Sequence, residues 1–292
     1  MAADSSLFFD AGAEARIALY EAKMIHQFDH RWATYERGET RNVTFEEKSR
    51  PEMTPFPLWE IDVAELDARM SSIWDRKWFV GWGDIVRSTD ERTAIAAVLP
   101  RVGVGHHIPL FVDPNAEATE FAAFCANFNS FALDYAARQK VGGTHMTFFV
   151  MRQLPVFQPH RYLHPANWQP DAILRDWMAE RVLELSYTAW DLQPFAQDLG
   201  YDGPPFKWDV DRRFEIRCEL DAAYFHLYEI ERDDVDYIMS TFPIVQRKDE
   251  AAHGTYRTRD RILEIYDGMA SGEWQSSLDP PVADPRAAHP AE

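Results

Sequence analysis

The sequence predicts an α+β fold in which a mixed α/β unit is followed by a helical region. Strand-like segments rich in branched and aromatic residues occur between residues 77 and 112, separated by turn-forming residues. Aromatic residues then recur at helical spacing up to residue 135, and the apolar patterns from residue 169 onward are also helical. With 46% hydrophobic and 14% aromatic residues, the 292-residue chain can bury a sizeable core.

Residues 1–75 are interpreted as an N-terminal connecting segment. The stretch 37–62 is predicted to be a loop, because Pro51, Pro55 and Pro57 would break any helix. Residues 63–72 are a short helix candidate.

The α/β unit is assigned to residues 76–168. Three strands are predicted at 77–86, 93–100 and 102–112, with Gly81 and Gly83 marking bulges in the first of them.

One amphipathic helix is predicted to follow these strands. Asp113 suits an N-cap and Pro114 the first helical position. The apolar face of this helix is formed by Phe121, Phe124, Phe128, Phe131 and Tyr135. The helix should end at "QKVGG", where Gly142 and Gly143 permit a left-handed C-cap, and "THMTFFVM" should resume as a strand.

Residues 169–272 form the predicted helical region. Apolar spacing indicates four helices, around 174–182, 216–227, 235–242 and 259–269. The tail, 273–292, is rich in Pro, Ala and Asp, and we expect it to be disordered.

The charge balance bears on partners and location. The chain has 48 acidic and 30 basic residues, a net charge of −18, which argues against generic binding to nucleic acid or to an anionic membrane. No apolar run approaches the length of a spanning helix, and no signal-like segment opens the chain. With only two cysteines, the sequence predicts a protein of the reducing cytoplasm. The charge balance and the lack of a long apolar run predict no membrane partner.

Common enzyme signatures are missing from the sequence. It has no Walker lysine loop, HExxH, GxSxG or paired CxxC. His106 and His107 could be metal ligands, but neighbouring residues of a strand point to opposite faces and should not reach one ion. We therefore predict no metal site and no cofactor in this chain.

A nuclease remains an alternative. Asp10, Glu21 and Lys23 fit a loose D…ExK pattern, in which two carboxylates hold Mg²⁺ and the lysine activates water. The pattern is short and common, and a surface role explains the same residues.

Two stretches within the α/β unit contain no acidic residue, 92–112 and 135–170, although arginine, lysine and histidine persist in both. Burial would remove acids from strands in any case. In the second stretch, however, Gly142 and Gly143 would let the backbone approach a phosphate, and Thr144 and His145 add polar side chains. Arg138 and Lys140 would add positive charge. From these residues alone the stretch is either a nucleic-acid contact or a structural loop, in which Arg138 and Lys140 interact with the helix C-terminus.

Four blocks of the chain together resemble one family, the C-terminal region of large adenine-specific DNA methyltransferases of restriction–modification and phage-defence systems, including type IIG-like enzymes. The resemblance runs from about residue 17 to residue 269. It is carried by "LYEAKMIHQFDHRWATY", "DERTAIAAVLPRVGVGHHIPLF", "FNSFALDYAARQKVGGTHMTFFVMRQLPV" and "ELDAAYFHLYEIERDDVDYIMSTFPIVQRKDEAAHGTYRTRDRILEIYD".

The resemblance implies that the α/β unit is a target-recognition unit that clamps double-stranded DNA. Arg92 and Thr93, together with residues 138–145, would then lie on or near the DNA-facing side, and Arg257 and Arg259 would be backbone contacts. The family's loops for S-adenosylmethionine and for the extruded adenine have no counterpart here. The chain would therefore not be catalytic alone, and S-adenosylmethionine would be held by a separate methyltransferase core. A helical adaptor that docks proteins through residues 170–270 is the remaining alternative.

Overall fold

The computed structural model describes residues 7–10 and 16–290, and it confirms a mixed α+β fold with a helical C-terminal region. Within the described residues the strands are β1 (Phe9–Asp10), β2 (Arg16–Tyr20), β3 (Ala33–Glu36), β4 (Glu39–Asn42), β5 (Trp59–Asp62), β6 (Trp78–Trp82), β7 (Ala96–Pro100), β8 (Gly103–Val104), β9 (Leu110–Phe111), β10 (Pro165–Ala166) and β11 (Gln169–Ile173). The helices in the same part of the chain are α1 (Phe45–Lys48), α2 (Val63–Met70), α3 (Ala118–Asn129), α4 (Phe131–Lys140), α5 (Phe148–Met151), α6 (Leu174–Ser186), α7 (Gln193–Asp198), α8 (Val210–Leu227), α9 (Arg232–Ser240), α10 (Pro243–His253) and α11 (Arg257–Ser271).

The centre of the α/β unit is an antiparallel sheet in the order β7-β6-β9. Every residue of β6 and β7 is buried, which explains why these strands are continuous apolar runs rather than alternating ones. The first two predicted strands are thus confirmed. The third predicted strand is divided, because β8 leaves this sheet and pairs in parallel with β2.

Gly81 does not mark a bulge, since the register between β6 and β7 is regular along the whole pairing. A Cβ at Gly81 would lie 2.6 Å from Cγ2 of Ile108 and 3.2 Å from Cδ2 of Leu110. The glycine is therefore needed for the close approach of the chain that leads into β9.

The predicted single helix is two helices in the structure, α3 and α4, which are separated at Ser130. Ser130 has an extended conformation (φ −69°, ψ 150°), and its hydroxyl accepts a hydrogen bond from the Leu133 amide as the N-cap of α4. The first of these helices begins at Ala118, where Glu117 and Glu120 form a capping box. Asp113 instead accepts a hydrogen bond from the Asn115 amide in a turn.

The strand predicted at "THMTFFVM" is wrong, because residues 148–151 form the short helix α5. The Thr147 hydroxyl accepts from the Val150 amide and so caps this turn of helix. Phe148 and Phe149 are exposed rather than packed in a sheet.

The four predicted helices of the C-terminal region correspond to α6, α8, α9 and α11. Two more, α7 and α10, each have proline in the first turn. A buried ion pair joins α6 to α8, with Arg181 Nη2 2.7 Å from Glu219 Oε2 and the guanidinium 3.3 Å from the Trp177 ring centroid. Across the described helices, none has the length and apolar character needed to cross a bilayer.

The N-terminal segment contains more regular structure than the predicted loop. Residues 37–62 include β4, α1 and β5, and Thr44 and Glu47 form a capping box at the start of α1. The prolines lie between these elements and do not interrupt them.

Arg31 is fully buried and joins this segment to the helical region. Its guanidinium donates to the carbonyl oxygens of Lys48, Arg50 and Met53 and to both oxygens of Thr188. Buried apolar residues from Leu19 to Ala288 also form one continuous cluster. The predicted units therefore share a single core.

The tail predicted to be disordered is ordered over the residues that the structure describes, 273–290. Arg212 of α8 donates to the carbonyl oxygens of Pro280 and Pro281. The Ser277 hydroxyl donates to Glu215, 2.8 Å away, and Ala288 is buried. Side chains of α8 thus hold the tail in place, although the composition of the tail predicts disorder. Residues 291–292 lie outside the described part.

Candidate nucleic-acid interface

The predicted DNA contacts Arg92, Thr93 and Arg138 lie inside the protein, around the buried carboxylate of Asp134. Asp134 is 0% exposed and accepts from Arg92 Nε at 2.7 Å. It also accepts from the Thr93 amide at 3.1 Å, and Arg138 Nε lies 3.4 Å from its other oxygen. Polar groups that are buried away from water need hydrogen-bond partners, and these residues supply them to one another in a buried network.

The other contacts of Arg138 confirm its internal position. Its guanidinium donates to the carbonyl oxygens of Ser88, Asp90 and Glu91 and stacks 4.1 Å from the ring centroid of Phe242. Burial lowers the pKa of Arg138 below its ordinary value. The Arg138 side chain is 8% exposed and its donors are occupied by these carbonyl groups, so it offers little to a phosphate on the surface.

The turn after α4 is exposed and lies where a ligand could approach it. The helix ends at Val141, which is extended (φ −79°, ψ 98°), and neither Gly142 nor Gly143 has a positive φ, so the predicted left-handed C-cap is wrong. A Cβ at either glycine would meet nothing within 4 Å. The fold itself therefore does not require glycine here. Thr144 and His145 are exposed beside them.

Residues 139–170, which we call the acid-free ledge, are mostly exposed. Lys140, Arg152 and Arg161 are all exposed on it, as are Phe148 (56%) and Phe149 (77%). Burial therefore does not account for the lack of acids in this stretch. It does account for much of the lack in 92–112, where Arg92 is buried and the residues of β7 are buried as well.

The basic side chains of the ledge have few partners. Lys140 Nζ lies 3.5 Å from the amide oxygen of Gln153. Arg161 lies 3.5 Å from Glu229, and this pair is exposed. Arg152 makes no ion pair with any described residue. Exposed cations of this kind remain available to an anionic ligand.

Arg257 and Arg259, at the start of α11, lie among acidic side chains. Arg257 Nη2 is 2.9 Å from Asp211, while Arg259 is 2.8 Å from Asp260 and 3.5 Å from Asp236. These acids neutralise the two guanidiniums and would repel phosphate. The predicted backbone contacts therefore lie on a surface that is not basic.

The residues of the nuclease pattern are occupied by other contacts. Glu21 accepts a hydrogen bond from the hydroxyl of Tyr35, and Lys23 Nζ lies 3.9 Å from the same carboxylate. Burial and the Glu21 carboxylate both raise the pKa of Tyr35. The side chain of Asp10 lies outside the described residues, so only part of the pattern can be placed.

His106 and His107 lie in a turn rather than a strand, so the expectation that they face opposite sides is wrong. Their ring centroids are 3.6 Å apart. His107 Nδ1 lies 2.7 Å from Asp84, and His145 Nδ1 lies 3.5 Å from the same carboxylate. The sequence gives no local signal for this cluster, because its members come from three separate segments.

Sequence reasoning also missed Phe148, Phe149 and Arg152, which the structure places on the ledge. The sequence predicts a strand for the segment that contains the two phenylalanines.

Comparison of the chain with protein-family models, with curated proteins and with solved structures returned no match.

Proposed function

We propose that this chain is the DNA target-recognition (specificity) segment of a site-specific adenine-N6 DNA methyltransferase of a restriction–modification or phage-defence system. The residues of this sequence include no S-adenosylmethionine-binding loop, and we assign the methyl transfer to a methyltransferase core that binds S-adenosylmethionine. Its place is the cytoplasm, and its two buried free cysteines fit a reducing compartment.

The observation that carries this proposal is the acid-free ledge. A chain of net charge −18 keeps 32 consecutive positions, residues 139–170, free of carboxylates although most of them are exposed. Carboxylates would be repelled by the phosphates of a bound duplex, whereas exposed lysine and arginine release counterions on binding. The proposal explains this distribution, and burial does not.

The residues of the ledge divide into two roles. Lys140, Arg152 and Arg161 contact phosphates and set the register of the protein on the duplex. The 142–145 turn approaches the backbone closely, because its two glycines carry no side chain to hold a phosphate away. Phe148 and Phe149 offer exposed rings to a groove or to an unstacked base.

The net charge of −18 makes binding by this chain alone weak at physiological salt. The methyltransferase core supplies the rest of the clamp. We therefore expect the affinity for duplex DNA to be highest when the methyltransferase core is present.

The test is fluorescence anisotropy with a random-sequence duplex across a salt series, with the chain alone and with its methyltransferase partner. Lys140→Ala/Arg152→Ala removes two ledge charges, and we expect the slope of log K against log salt to fall by about 1.8. Arg232→Ala/Lys248→Ala is the matched control, since both side chains are exposed but lie on α9 and α10. Its slope should equal that of the unmodified chain.

Equal slopes for the two double variants would refute the assignment of the ledge. A lack of DNA binding by the chain in any complex would refute the proposal as a whole. Stable capture of a protein by residues 170–270 in that case would favour the adaptor.

A further inference from the structure

Asp84, His107 and His145 are held together by the backbone as well as by their side chains. The Asp84 amide donates to the His107 carbonyl at 3.1 Å, and the Met146 amide donates to the Asp84 carbonyl at 2.7 Å. Ile85 and His145 form a β-bridge between the same two segments. The end of β6, the turn before β9 and the turn after α4 are therefore fixed relative to one another.

The side-chain atoms of these residues have the spacing of metal ligands. His107 Nδ1 is 2.7 Å from Asp84 Oδ1, and His145 Nδ1 is 3.5 Å from Oδ2. One ligand atom from each residue lies within 4.8 Å of the others. In a tetrahedral site with bonds of about 2.0–2.2 Å, ligand atoms lie roughly 3.3 Å apart, so small side-chain rotations would complete the site.

A cation can reach this cluster from solvent. The side chains of Asp84, His107 and His145 are 18%, 28% and 45% exposed. A cavity of about 170 Å³, lined by Glu21, Lys23, Ile85 and His106 among others, opens beside His107. Glu21 and Lys23 form an ion pair there, so the lysine charge is locally balanced.

We propose that Asp84, His107 and His145 form a binding site for a divalent transition-metal ion of the Zn²⁺ type. Two imidazoles and one carboxylate suit Zn²⁺ and similar ions, whereas Mg²⁺ and Ca²⁺ prefer oxygen ligands alone. The three protein ligands leave at least one coordination position open to water. Metal binding here needs only the folded chain and does not rest on the proposed DNA-binding function, although His145 also belongs to the turn proposed to approach DNA.

The ion would connect the turn at 142–145 to the end of β6. Since the ligands converge only in the folded protein, a bound ion stabilises that state by mass action. Binding can therefore be detected as a rise in melting temperature, without any assay of activity.

The experiment is calorimetric titration of the full chain, purified without a histidine tag, with ZnCl2, together with competition against a chromophoric zinc chelator. We expect one strong site per chain and a higher melting temperature with Zn²⁺. His145→Ala removes an exposed ligand and should weaken Zn²⁺ at least about tenfold. His160→Ala, which removes another exposed histidine of the ledge, is the matched control and should change the Kd less than twofold.

Three further results would each decide the question. Co²⁺ should give visible d–d absorption that is lost in His145→Ala, as expected for ligation by that residue. The proposal is overturned if Zn²⁺ does not bind at millimolar concentration. Equal Kd values for His145→Ala and His160→Ala would overturn it as well, and the cluster would then be only a hydrogen-bonded Asp–His group.

Discussion

The buried arginine side chains of Arg92 and Arg138 and the exposed side chains of Lys140 and Arg152 belong to the same α/β unit, yet their surroundings are opposite. The first two share the carboxylate of Asp134 and are almost fully enclosed. The second two lie on the acid-free ledge in contact with solvent. Only one residue, Gln139, separates Arg138 from Lys140 in the sequence.

The difference shows how a structural arginine can be distinguished from a basic residue that is free to contact a ligand. Asp134 and Arg138 are four residues apart on one helix, and an aspartate four residues before an arginine is a local partner for it. Lys140 has no acid at such a spacing. A basic residue that has an acidic residue three or four positions away on the same helix should therefore first be interpreted as a structural residue.

The largest effect that tests this comparison is expected from Asp134→Ala. Arg92 and Arg138 would stay buried without their carboxylate, and we expect the free energy of unfolding to fall by about 3–5 kcal/mol. Urea denaturation measures this. Asp211→Ala, which removes an acid from an exposed ion pair, is the control and should cost about 1 kcal/mol or less. A similar small loss for Asp134→Ala would show that the network does not stabilise the fold.

The next effect is expected from Arg138→Ala, which leaves three backbone carbonyl groups without their charged donor. We expect a loss of about 2–3 kcal/mol in unfolding free energy, because three part-buried carbonyl groups lose their charged hydrogen-bond donor. Lys140→Ala should change stability by no more than about 0.5 kcal/mol. Unchanged stability together with weaker DNA binding in Arg138→Ala would contradict the comparison, since it would place Arg138 on the DNA side.

A third test uses Asp221, which accepts a hydrogen bond from the Phe131 amide at the start of α4. Burial raises the pKa of Asp221 from 3.8 to about 6. Because the folded-state pKa is the higher one, the stabilising contribution of this group is complete below about pH 4 and is lost as the pH rises through the folded pKa.

Asp221→Asn keeps an oxygen for the Phe131 amide but cannot ionise. We therefore expect the variant to be more stable than the unmodified chain at pH 7, by on the order of 2 kcal/mol, with the difference vanishing near pH 4. Urea denaturation between pH 4 and 7 measures the difference. Parallel stability curves over that range would show that the carboxyl group is not affected by its burial.

The smallest effect on stability is expected from Phe149→Ala on the ledge. The ring is 77% exposed, so its removal should change the free energy of unfolding by less than about 0.5 kcal/mol. The same variant should weaken DNA binding, measured by anisotropy, if the ring contacts the duplex. A loss of stability above about 1 kcal/mol would instead mean that Phe149 packs against the fold and does not belong to the ledge surface.

The parts of the fold that could be predicted are those with strong local patterns. β6 and β7 are continuous apolar runs, and α6, α8, α9 and α11 have clear helical spacing. The interruption at Ser130 could not be predicted, because phenylalanines continue at helical spacing on both sides of it. The short strands β2, β5 and β8 depend on pairing between distant segments.

The site was predicted only in part, for related reasons. The exposed turn at 142–145 and Lys140 were found, since glycine and charge are visible in the sequence. The burial of Arg92 depends on Asp134, which lies 42 residues away, and such a contact leaves no trace in composition. The cluster around Asp84 likewise forms only after three segments have come together.

The buried guanidinium of Arg31 limits which segments of the chain can be exchanged during evolution. Recombination that exchanged residues 76–272 for those of a relative would have to preserve the oxygens of Thr188 on one side and the carbonyl groups of residues 48–53 on the other. A mismatch would leave a buried charge without acceptors. Under the proposed function, new target specificity would therefore be more accessible through substitutions on the exposed ledge than through the exchange of whole segments.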